Sequence, residues 1–254
     1  FFKQNTAYDI MPSLVGSEMC IRDSVNIMSS RGSGLTLMAV VLGLVGYFIF
    51  QSAIGINTKV DDIPTILLNS SSNSLNISIG FILVVVGLTV HGAGILNTRG
   101  TAAGTAESVG IYCIMTAIII WVTSVSLGFA IIEVGDKFGP AAAGAAAGDA
   151  AAAVAAGTLA TAGGALQATN VAASTMGSLL AGIGWICIGW AYRGTDVKGA
   201  LSFIPLSWLA ILAGLILVVA NLQTDPDLAQ QISGISFILI TLWSVSRGVA
   251  LMRA

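Results

Sequence analysis

The side chains able to do chemistry are few and lie far apart. His91 is the single histidine of the chain, so one subunit cannot build a multi-His metal site or a two-His haem ligation. It sits in an apolar run, where an ionisable group points to a proton-linked or gating residue. The plainer reading is a neutral imidazole hydrogen-bonded to a neighbour. Arg247, five residues before Met252, suits a guanidinium that snorkels toward headgroups, with a buried substrate contact as the other reading. Pro205, with Ser202 and Ser207 beside it, predicts a kink that could serve gating. His91, Arg247 and Pro205 are thus the candidate pathway or gating residues.

The remaining groups offer less. Cys20, Cys113 and Cys187 are too few and too badly placed for a disulfide framework, and two thiols fall short of the four ligands of a structural metal site. Cys113 and Cys187 should lie at similar depth, as packing residues. Asp61, Asp62, Glu133, Asp136, Asp225 and Asp227 could form a cation-attracting mouth or simply a solvated rim. Asn69-Ser70-Ser71 and Asn76-Ile77-Ser78 fit the glycosylation pattern, which matters only in a secretory eukaryotic setting. No nucleophile, base and orienter can be assembled, and neither a phosphate-cradling loop nor a dinucleotide fingerprint is present. The expectation is a non-enzymatic protein with no catalytic residue, cofactor or metal.

The elements that must position these residues follow from composition. Of 254 residues, 56% are apolar and 9% charged, against about 25% charged in a soluble domain. Mean hydropathy is +0.91. Such a chain cannot cover a globule with polar groups, so its natural partner is a lipid bilayer. Ten Lys and Arg against 12 Asp and Glu leave no basic patch for nucleic acid.

Six stretches approach the roughly 20 apolar residues of a spanning helix: 35–56, 75–96, 109–132, 176–192, 200–220 and 232–252. The predicted fold is all-α, a polytopic bundle of six transmembrane helices over residues 28–254. Residues 1–27 are polar and aperiodic, and the stretch 11–24 resembles translated technical sequence, which makes Met28 the expected start; the alternative is that 1–27 is a genuine disordered tail. With the N-terminus inside, Arg31, Arg99, Arg193, Lys198, Arg247 and Arg253 fall on the inner side and only Lys59 and Lys137 outside. Both termini should therefore be cytoplasmic, in a plasma or inner membrane. Trp190, Tyr192 and Tyr112 read as interface anchors, and Trp121, Trp185, Trp208 and Trp243 as packing.

The Ala- and Gly-rich run 140–166 is expected to be an external helical insertion. Were it to cross, Arg193 and Lys198 would move outside, and Asp149 would cost about 2.5–3.5 kcal/mol at mid-membrane. Pro140 suits a first helical turn, and Gly157, Gly163 and Gly164 should weaken the far end. A re-entrant or packed helix is the alternative, since Gly144 and Gly148 make a close-packing face.

Four runs share a register in which Gly34 and Gly46, Gly80 and Gly92, Gly177 and Gly189, and Ser236 and Gly248 lie twelve apart. Internal duplication would explain it, as would helix packing. The Gly-spaced helices from Gly34 to Gly46, Gly80 to Gly92 and Ser236 to Gly248 resemble the small six-helix membrane proteins of the HdeD type, from which the Ala-rich run departs. That resemblance implies a stress-related membrane protein with no known chemistry and transfers no site residue. Two functions then compete: a non-enzymatic bundle acting through packing with itself or a partner, and a small channel or transporter with a pathway near His91.

Overall fold

The structure, a computed structural model, describes residues 29–102, 104–195, 197–201 and 204–253. The segment 1–27 with Cys20, together with Met28, Asp196 and Ser202, lies outside the described residues. Every regular element among the described residues is an α-helix: α1 (Ser30–Met38), α2 (Val40–Ile54), α3 (Ile63–Ser72), α4 (Ser74–Asn97), α5 (Thr105–Ala146), α6 (Ala150–Ala191), α7 (Leu206–Ala220) and α8 (Pro226–Arg253). Five helices are long and apolar enough to cross a membrane, with α1 and α2 counted as one rod from Ser30 to Ile54. Multiple apolar helices of this length suit a membrane protein.

The packing follows the glycines. Lipid-like surroundings give no hydrophobic drive between helices, so close backbone approach has to supply the contact energy. A methyl group on Gly46 would lie 2.5 Å from the Gly80 carbonyl oxygen, and one on Gly80 would lie 2.7 Å from that of Gly46, which joins α2 to α4. Gly110 and Gly184 meet in the same reciprocal way at 2.9 Å and join α5 to α6. Gly182 and Gly214 join α6 to α7, at 2.9 and 2.5 Å. Gly34 and Gly248 join α1 to α8, at 2.5 and 2.7 Å. With α4 against α5 and α7 against α8, the helices close a ring in the order α1–α2, α4, α5, α6, α7, α8. Leu37, Ile95, Ile114, Trp185, Leu217 and Trp243 belong to the core they enclose.

The predicted spans are corrected in three places. Residues 109–132 and 176–192 form parts of two 42-residue helices, each about 63 Å long at 1.5 Å per residue. The run 140–166 is therefore no separate insertion. It forms the last two turns of α5, the turn at 147–149 and the first 17 residues of α6. Alanine is the strongest helix former, so the run stays helical on both sides of the break at Gly148. Pro140 lies inside α5 rather than at a first turn, and α6 continues through Gly157, Gly163 and Gly164. Gly144 does pack, since its methyl would meet Ala152 at 2.8 Å. Gly148 instead supplies the φ of +89° that the turn requires. Asp149 caps α6, its Oδ1 accepting from the amides of Ala151 at 2.8 Å and Ala152 at 3.2 Å.

The third correction concerns 200–220, where the helix is only α7, 15 residues or about 22 Å. Pro205 does not kink it. With φ −63° and ψ 129° it precedes the first helical residue, Leu206. The short helix α3 braces the long hairpin: a methyl on Gly135 would lie 2.5 Å from the Leu67 carbonyl oxygen, and one on Gly163 3.0 Å from the Leu67 methyls. A second core cluster gathers there around Leu67, Ile77, Phe81, Ile132 and Phe138.

Candidate functional site

The three candidates lie on different elements: His91 on α4, Arg247 on α8 and Pro205 just before α7. His91 lies on α4 with 2% of its surface exposed, and its Nδ1 is 2.9 Å from the Leu37 carbonyl. A carbonyl oxygen only accepts, so Nδ1 carries the proton and donates it. Gly94 allows the approach, since a methyl there would sit 2.5 Å from the Leu37 amide nitrogen. This arrangement belongs to the α1–α4 contact.

Arg247 sits on α8, half-buried. One terminal nitrogen of its guanidinium donates to the Lys198 carbonyl at 3.4 Å, while its Nε is buried without a hydrogen-bond partner among the described residues. The strand of chain beside it is stitched to the same helix, with Ala200 N donating to Ser246 O at 2.9 Å and Leu201 N to Ser246 Oγ at 3.2 Å. Pro205 shares this end of the ring with Arg247 at the foot of α7. His91 connects to it through α1: Leu37 lies one turn beyond Gly34, which packs on Gly248 next to Arg247.

At this basic end the sequence reading missed several groups. Glu107, on the first turn of α5, is 3% exposed. Its carboxylate accepts from Gly100 N at 2.7 Å and Ala102 N at 2.9 Å, which pins the loop between α4 and α5. Three side-chain atoms besides Arg247 Nε are buried without a hydrogen-bond partner among the described residues: Tyr192 Oη, Trp243 Nε1 and Ser244 Oγ. Tyr192 and Trp243 have ring centroids 6.0 Å apart, and Trp185 meets Trp243 edge-on at 4.9 Å. Tyr192, expected as an interface anchor, is thus buried at 3% exposure, whereas Trp208, expected in the core, is 56% exposed. The aromatic spacing alone carried no signal for this exchange, because α6 ends at Ala191 and turns Tyr192 inward. Trp190 and Tyr112 are exposed and Trp185 and Trp243 buried, as their positions in the runs suggest.

The other candidates fall into structural contacts. Cys113 and Cys187 are free, half-buried and close enough to interact electrostatically, consistent with similar depth. Asp62 caps α3 by accepting from Thr65 N at 3.3 Å. Asp227 accepts from Val60 N at 3.0 Å, and Asp225 from Asp227 N at 2.9 Å. These acids hold loops and helix starts together. Asn69 donates to the Ile54 carbonyl at 2.7 Å. An open groove between α2 and α4, lined by Val45, Phe48, Ser52, Asn73 and Asn76, contains none of the three candidates. No group of three or more His, Cys, Asp or Glu able to hold a metal occurs among the described residues. No family model, curated protein or solved structure matches the chain.

Proposed function

We propose that this chain is an integral membrane protein that crosses the bilayer six times and works without catalysis, through helix packing with a second copy or a partner. The observation that carries the reading is the reciprocal glycine contact at four of the ring's interfaces, which brings the helices together around Trp185 and Trp243. The excess of Arg and Lys at one end supports a cytoplasmic N- and C-terminus in an inner or plasma membrane. In this reading the distal halves of α5 and α6 stand outside the bilayer, because 63 Å is about twice its hydrocarbon thickness. A stress-related role is what the likeness to HdeD-type proteins adds.

The test is thiol accessibility in intact membranes, using a small water-soluble maleimide on His91→Cys with Cys20, Cys113 and Cys187 replaced by Ser. Position 91 is expected to stay unlabelled while engineered cysteines at Lys59 and Arg99 label from opposite sides. Labelling at 91 overturns the packing reading in favour of a channel or transporter.

A further inference from the structure

Arg193 stands just past the end of α6, exposed to solvent, with its Cζ 4.7 Å from the Trp190 ring centroid and 5.4 Å from that of Trp208. The two indoles come from different helices. They reach the same cation because Gly189 lets the first turn of α7 approach the last turn of α6, a methyl there falling 2.5 Å from the Ser207 carbonyl oxygen. Cation–π contacts on two rings hold the planar guanidinium in place and leave its edges free to donate in parallel to two oxygens of one anion.

The surface below the cation is apolar. Ile183 lies two turns back along the face of α6 that carries Trp190, and Leu212, Leu215 and Val219 continue the face of α7 that carries Trp208. All four are exposed, between 39% and 50%. A fixed cation above a double apolar stripe has the shape of a phospholipid: a phosphate at the top and acyl chains alongside. A free phosphate would use the cation and leave the stripe unused. Arg31, Arg99, Lys198 and Arg253 at the same end raise the local potential for an anionic headgroup.

We propose that Trp190, Arg193 and Trp208 form a headgroup clamp for an anionic glycerophospholipid, whose chains lie along α6 and α7. The proposal rests on the membrane reading above. Its test is native mass spectrometry of the full chain purified in detergent and titrated with phosphatidylglycerol or phosphatidylcholine. Both lipids offer a phosphate to the guanidinium, but phosphatidylcholine also brings an ammonium group against Arg193 and the neighbouring cations, so the expected result is preferential retention of phosphatidylglycerol by about ten-fold. R193Q should abolish that preference. R193K keeps a cation for the helix C-terminus but not the planar fork, and should retain both lipids more weakly than the wild type while melting at the wild-type temperature. W208A should likewise weaken retention. An unchanged preference in R193Q, or unchanged retention in R193K, overturns the clamp, as does equal displacement of the lipid by inorganic phosphate. Recovery of the folded protein in the aqueous fraction without detergent would instead remove the membrane reading, and the clamp with it.

Discussion

Gly34 and Gly248 touch backbone to backbone, each occupying the space in which the other's carbonyl oxygen would meet a methyl group, at 2.5 and 2.7 Å. This contact seals the ring between its first and last helices. Gly34→Ala or Gly248→Ala should each destabilise by about 1–3 kcal/mol, as overpacking does. The double variant should cost less than the sum, since the first methyl already opens the gap the second needs. Thermal unfolding in detergent measures both.

Gly157 predicts the opposite sign. It lies within α6 with nothing within 4 Å of a methyl group there. Gly157→Ala should stabilise by up to about 1 kcal/mol, from the lower backbone entropy of alanine in the unfolded chain. A lower melting temperature would mean that another surface packs on this face of the hairpin.

The buried Tyr192 hydroxyl has no partner among the described residues. Removing an unsatisfied polar atom while keeping the ring costs nothing in packing, so Tyr192→Phe should be neutral or stabilising by up to about 1 kcal/mol. Destabilisation beyond that would identify a hydrogen bond to the Thr98 or Thr101 side chain, both of which lie beside the hydroxyl, or an ordered water bridging them. Denaturant titration of both proteins decides it.

Glu107 predicts a loss. Glu107→Ala leaves the amides of Gly100 and Ala102 without their acceptor, and should cost about 1.5–3 kcal/mol for hydrogen bonds to a charged group. Glu107→Gln, with one amide oxygen, should recover part of it. Hydrogen exchange should speed up at both amides in the alanine variant, ahead of global unfolding.

A sharp hydropathy edge in the sequence coincides with a helix end. The stretch 75–96 became Ser74–Asn97, and 232–252 falls inside Pro226–Arg253. The Ala-rich run has no such edge: alanine is apolar enough to continue a span and helical enough to leave it, so the ends of α5 and α6 were illegible. Pro205 showed a break without showing on which side the helix lies. The glycine register was legible as packing, because Gly34, Gly46, Gly80, Gly177, Gly189 and Gly248 all lie against another element. Which glycine meets which depends on partners far along the chain, and no local pattern encodes that. The Trp190–Arg193 spacing of three residues marks half of the clamp; Trp208 joins it only through tertiary structure.

The seal between α1 and α8 also sets a timetable. Almost the whole described chain separates Gly34 from Gly248, so α1 leaves the ribosome long before its partner exists. At about 5–20 residues per second the delay is on the order of tens of seconds. During that interval the Gly34 face of α1 has no carbonyl to meet and is open to insertion machinery or to another nascent chain. A product cut short before Pro226 lacks Gly248 and leaves that face of α1 without its partner.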